Sequence, residues 1–173
     1  GTTMMRGLII AFTLLAIPLV VASADLAVET SDRQKAALED IIAFGETFHT
    51  KRILKPIRTS IERQRNNNSG KLVSYYSVTY QDASSKYMRS RDDLNGPLDL
   101  KLSNKSIRLP HNIKIGVDSK EIVRVLGPPK PDTDSSLLVY ESEINEIFED
   151  VVYFHVDGTG QLVEIEWSFN RYD

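Results

Sequence analysis

Val151-Val-Tyr-Phe-His-Val-Asp157-Gly158-Thr159-Gly160-Gln-Leu-Val-Glu-Ile-Glu-Trp-Ser-Phe169 is the stretch that decides the fold. Apolar and polar side chains alternate on both sides of a glycine-rich turn, the pattern of two half-buried antiparallel strands. Val152, Phe154 and Val156 fall on one face of the first arm. Val163, Ile165, Trp167 and Phe169 fall on one face of the second, because side chains alternate with period two. Asp157 to Gly160 lacks the twelve-residue ligand spacing of a calcium loop and reads as a plain turn. Working toward the N-terminus, Leu137 to Ser142 predicts a third strand. Gly116-Val-Asp-Ser119 opens a helix with Asp118 or Ser119 as its cap and Ile122, Val123 and Leu126 as its apolar stripe. Gly127-Pro128-Pro129 ends it, since glycine accepts a left-handed residue and proline cannot continue the hydrogen bonding.

The series Ile113-Lys-Ile-Gly116-Val-Asp-Ser-Lys-Glu-Ile-Val-Arg-Val-Leu126-Gly127-Pro128-Pro129, Leu138-Val-Tyr140, Val152-Tyr-Phe154-His-Val-Asp157-Gly158 and Val163-Glu-Ile165 resembles the signature of two groups of proteins. These are the outer-membrane-assembly lipoproteins called SmpA, OmlA or BamE, and β-lactamase inhibitory protein. The resemblance covers about a third of the chain. It implies a helical layer on a curved antiparallel sheet that serves as a protein-binding platform without enzymatic activity, which is inference by fold analogy. The chain departs from both groups in having no cysteine, hence neither the lipidated cysteine of the former nor the disulfides of the latter.

In the N-terminal half, Leu38, Ile41, Ile42 and Phe48 recur at helical spacing, so a helix is expected over 33–48, capped by Ser31 or Asp32 and weakened at its end by Gly45. Ile53 to Arg65 reads as a short basic helix starting at Pro56, although its isoleucines also suit a strand. Asn66 to Gly70 is a turn, and Lys71 to Gln81, dense in aromatic and β-branched residues, is a strand. A polar connection is expected over 82–97, a strand at Leu98, Leu100 and Leu102, and a turn at 103–105 into a short strand at Ile107–Leu109, closed by Pro110. The class is α+β, helices on a curved antiparallel sheet, in one domain over 25–173. Its parts are a helical and basic segment (25–69), strands (70–112), and a helix with a three-stranded meander (113–173).

Residues 4–24 have the three parts of a cleavable signal peptide: Met4-Met5-Arg6, an apolar core from Gly7 to Val21, and Ala22-Ser23-Ala24 as a small-x-small site. Cleavage after Ala24 would make Asp25 the mature N-terminus, in the periplasm or outside the cell. A retained anchor is the alternative, against which stands an apolar core shorter than the roughly 20 residues a membrane helix requires. Without cysteine, thiol catalysis, disulfides and thiolate zinc sites are excluded. Loss of Arg6 would leave 20 basic against 24 acidic side chains, too mild a balance to point to nucleic acid. The charges are unevenly placed. Lys51, Arg52, Lys55, Arg58, Arg63, Arg65 and Lys71 face only Glu62 in 51–71, whereas 141–166 holds eight acids and no Lys or Arg. A basic segment of this kind suits peripheral contact with anionic lipid or glycan, although its apolar side is thin.

No catalytic motif stands out. His49, His111 and His155 are far apart in sequence and outside any metal-binding helix or nucleophile elbow, and no glycine-rich phosphate loop occurs. Glu141 with Glu143 and Glu164 with Glu166 are same-face carboxylate pairs, but a glycosidase needs two carboxylates across a cleft. No catalytic residue, metal or cofactor is therefore expected. The acidic, aromatic end, represented by Glu141, Tyr153, His155, Glu164, Glu166 and Trp167, is the expected contact surface for another protein, although Trp167 reads more readily as core. A basic cell-envelope enzyme or a toxin would complement it, making the chain an inhibitor, an immunity protein or an assembly factor. The competing class is a cell-wall hydrolase or glycan-binding module using surface carboxylates and His155.

Overall fold

The computed structural model describes residues 17–90, 96–132, 134–142 and 149–170, with side chains from residue 24 onward. Two helices, α1 (Ile17–Thr47) and α2 (Ser119–Leu126), accompany seven strands. The strands are β1 (Arg58–Arg65), β2 (Leu72–Tyr80), β3 (Ala83–Ser90), β4 (Gly96–Leu102), β5 (Leu137–Glu141), β6 (Val151–Val156) and β7 (Leu162–Ser168). They form one open antiparallel sheet in the order β1-β2-β3-β4-β7-β6-β5. Two meanders, β1 to β4 and β5 to β7, are thus fused edge to edge where Leu100 faces Trp167 and Leu102 faces Ile165. This is the expected α+β class, with a helix preceding the C-terminal meander.

One face of the sheet carries the core. Val78 and Tyr80 from β2, Leu100 and Leu102 from β4, Ile165 and Trp167 from β7, Val152 and Phe154 from β6 and Tyr140 from β5 are all buried beneath Ala37, Ile41, Ile42 and Phe48 of α1 and its C-terminal turn and Ile122 and Leu126 of α2. Aromatic edges interlock there, with Phe48 against Tyr80 at 5.4 Å and Tyr140 against Phe154 at 5.7 Å. Asp118 caps α2 by accepting the Lys120 backbone N–H, and Gly127 closes it at φ 83°. The Tyr140 hydroxyl donates to the Gly127 carbonyl at 2.8 Å, tying the end of α2 to β5.

Several expectations need correction. The first helix does not start at residue 33, and Ser31 and Asp32 are helical rather than capping. No glycine or proline interrupts the chain between Pro18 and Gly45, and the Glu29–Arg33 pair supports the intervening turns. The signal segment expected at 4–24 lies mainly outside the described residues, and no described helix is long and apolar enough to cross a membrane. The basic helix at 53–65 is instead a loop followed by β1, whose eight residues pair with Leu72–Thr79 of β2. Its polarity reflects an exposed edge, and the strand alternative of its β-branched Thr59 and Ile61 wins. Within the polar connection of 82–97 lies β3, joined to β2 by the tight Gln81-Asp82 turn, with Asp82 at φ 51°. Ile107–Leu109 is not a strand: both residues are buried, and only an isolated bridge from Arg108 to Lys114 occurs there. Finally, the register of the last hairpin shifts at His155/Val156, so Leu162 enters the core and Val163 turns outward.

Candidate functional site

The second face of the sheet has no described helix packed on it. Cross-strand register places Leu137, Val139 and Glu141 of β5, Val151, Tyr153 and His155 of β6, Glu164 and Glu166 of β7, Asp99 and Lys101 of β4 and Lys86 of β3 on this face. Five of the six expected contact residues, Glu141, Tyr153, His155, Glu164 and Glu166, therefore share one surface, and each is partly exposed. Trp167 does not join them. It is fully buried, and its indole N–H donates to the Ile41 carbonyl at 3.0 Å, so a partner cannot reach it. Leu137, Val139, Val151 and Tyr153 form a half-buried apolar centre that the sequence reading passed over. Its signal was present in the residues of β5 that alternate with the buried Tyr140.

The acids on this face are less free than their count suggests. Lys101 lies 3.6 Å from Glu166, His155 Nε2 lies 3.3 Å from the other oxygen of Glu166, and Lys130 pairs with Glu141. Burial raises the Asp99 carboxyl above the ordinary carboxylate range and nearby Glu166 adds to this, against the opposing pull of Lys86 and Lys101. The result is a row of alternating charge from Lys86 through Asp99 and Lys101 to Glu166, with His155 beside it, bordering the apolar centre.

His155, Glu164 and Glu166 bring one nitrogen and two carboxylate oxygens within 4.8 Å of one another. One imidazole and two carboxylates are donors suited to zinc. Lys101 competes for Glu166 and supplies positive charge where an ion would sit. Sequence spacing concealed this cluster because its members meet only through the β6–β7 register, in which His155 faces Glu164. The two glutamates rise side by side from one strand rather than across a cleft, so the geometry of a two-carboxylate glycosidase is not met.

The basic residues separate by element. Lys51, Arg52 and Lys55 lie in the loop from α1 to β1, while Arg58, Arg63 and Arg65 lie on β1. Register turns Arg63 and Arg65 to the helix side of the sheet and Arg58 to the opposite side. Arg52 and Lys55 border a cavity of about 760 Å³ that also takes in His49, Tyr87 and Arg89. The other histidine, His111, pairs with Asp40 of α1 at 2.7 Å and fastens the turn at 110–112 to that helix. Asn104 is buried, donates to the Gln81 carbonyl at 2.8 Å and accepts from the Ser106 backbone N–H, a structural clip.

No family model, no curated protein and no solved structure matches this chain.

Proposed function

We propose that this chain is an exported, non-enzymatic protein that binds a basic protein partner through the open sheet face at its β5–β6–β7 end. One observation carries the reading: four half-buried apolar side chains, Leu137, Val139, Val151 and Tyr153, form a contiguous centre rimmed by Glu141, His155, Glu164 and Glu166. An apolar centre inside a polar rim is the anatomy of a protein interface, and the rim acids select for cations on the partner. The helix-and-meander resemblance to assembly lipoproteins and β-lactamase inhibitory protein supports the same reading by analogy. Export rests on the signal-like residues 4–24.

The test is affinity capture from an envelope extract at low and at physiological salt, using the wild type and the Glu164→Lys, Glu166→Lys double variant. A single stoichiometric partner, weakened by salt and lost with the double variant, is expected. Equal capture by both proteins would remove the face from consideration. A second reading, a hydrolase acting on cell-wall material, draws on the convergence of His155 with Glu164 and Glu166. It requires turnover of such material that disappears in Glu164→Gln.

A further inference from the structure

The helix side of the sheet carries a second feature, independent of the open face. Beyond the end of α1 the chain crosses over β2 and β3 before entering β1, and between this loop and the strands lies the cavity of about 760 Å³. Among the described residues, its lining holds three cations, Arg52, Lys55 and Arg89, and no aspartate or glutamate. Elsewhere the chain neutralises its cations with local acids, as in Arg33–Glu29, Lys101–Glu166, Arg124–Glu121 and Lys130–Glu141. Among the described residues, none of the three cavity cations has a carboxylate partner. Three like charges around one hollow repel one another, and the repulsion is relieved only by solvent, salt or a bound anion.

Two further observations separate this site from an ordinary solvated basic surface. First, its wall is built. His49 and Tyr76 each stack on Tyr87 with centroids 4.7 Å apart and planes inclined by 17° and 4°. The Arg89 guanidinium sits 5.4 Å and 5.5 Å from the Tyr76 and Tyr87 centroids, held by cation–π attraction at the mouth of the cavity. Second, Arg52 adopts φ 50°, a left-handed backbone that a long side chain rarely takes and that concentrates at functional positions. That conformation belongs to a residue on the cavity lining. Burial, and then Arg89, lower the His49 pKa, so near neutral pH the imidazole stays uncharged and able to donate or accept one hydrogen bond.

We propose that this cavity binds a small polyanion carrying at least two adjacent phosphate or carboxylate groups, gripped by Arg52, Lys55 and Arg89 against the His49–Tyr87–Tyr76 stack. Selection rests on charge and on the planar guanidinium donors of Arg52 and Arg89.

The test is calorimetric titration of the full chain with inorganic pyrophosphate and, separately, with citrate, at low and physiological salt. One site per chain is expected. Arg89→Gln and Arg52→Gln should each weaken binding about tenfold or more, the worth of one charge-assisted hydrogen bond. Arg58→Gln removes the same charge from the other side of the sheet and should leave affinity within about twofold, as expected for a charge outside the contact. Preference for pyrophosphate or for citrate assigns the phosphate or the carboxylate class. If Arg89→Gln loses its fold by circular dichroism, Lys55→Gln, an exposed position clear of the aromatic stack, carries the comparison. Absence of binding by both probes at millimolar concentration, or an equal loss in Arg58→Gln, would overturn the proposal.

Discussion

At the scale of single residues, Trp167 and Gly45 show how one contact fixes a position that sequence statistics disfavour. Glycine in the last turns of a helix weakens it, and nothing in the sequence around Gly45 accounts for its presence. In the fold the Trp167 ring lies against the α1 backbone at that point, and a Cβ on residue 45 would meet the ring carbons and nitrogen at 2.6–2.8 Å. The ring cannot slide away easily, because its N–H is committed to the Ile41 carbonyl and Phe44 packs beside it with centroids 6.1 Å apart. Gly45→Ala should therefore destabilise the protein by up to about 2 kcal/mol, overpacking of about 1–3 kcal/mol set against roughly 1 kcal/mol of improved helix propensity. Urea unfolding of the two proteins measures this, and an alanine variant as stable as wild type would show that the ring has room to shift. Hairpin periodicity put Trp167 on one face with Ile165 and Phe169, but left it open as a contact residue, and a sequence cannot show which backbone its ring meets.

At the scale of elements, legibility follows burial. The hairpin β6–β7, strand β2, helix α2 and the packed half of α1 each press an apolar face into the core, so their periodicity was written in the residues. Strands β1 and β3 were missed for one physical reason. Every residue of Arg58–Arg65 is exposed, and only Ser85 and Met88 of Ala83–Ser90 are buried, so neither strand carries an apolar alternation. Hydrogen-bond ladders and neighbouring strands place them, and these are nonlocal. The face bearing Tyr153, His155, Glu164 and Glu166 was legible for the complementary reason, since alternation that buries Phe154 and Ile165 must turn their neighbours outward. The cavity cations were only half legible, because Arg89 joins Arg52 and Lys55 through the unforeseen β3. Strand β1 is an edge held by β2 alone, and its arginines protect that edge from pairing with other chains. Its hydrogen-bonded amides should exchange with solvent through local opening, far faster than those of β4 and β7 at the centre of the sheet. Hydrogen–deuterium exchange read by mass spectrometry tests this, and equal protection of 58–65 and 162–168 would mean that the outer hairpin opens only with the whole domain.

At the scale of the whole molecule, the sheet order sets two opposite charge environments at its two ends. The basic edge strand β1 and the acid-rich β5–β6–β7 end are separated by the full width of the sheet. Among the side chains described, residues 24–33 of α1 are exposed and the first buried one is Ala37. An exposed helical stretch is marginal in water, so residues 24–29 are expected to add little to the stability of the domain. The segment expected to be removed on export, 1–24, lies entirely N-terminal to the packed part of α1. A chain beginning at Asp25 should therefore fold to the same structure, with unfolding free energy within about 0.5 kcal/mol of the full chain, the usual range for changes away from packed features. Paired urea titrations of residues 1–173 and 25–173, with near-ultraviolet circular dichroism of Trp167 as the reporter of core packing, decide the matter. Matching curves would show that the domain tolerates cleavage at Ala24, as the export reading requires. A loss of more than about 2 kcal/mol, the scale of a missing core contact, would make residues 1–24 part of the fold and count against their removal.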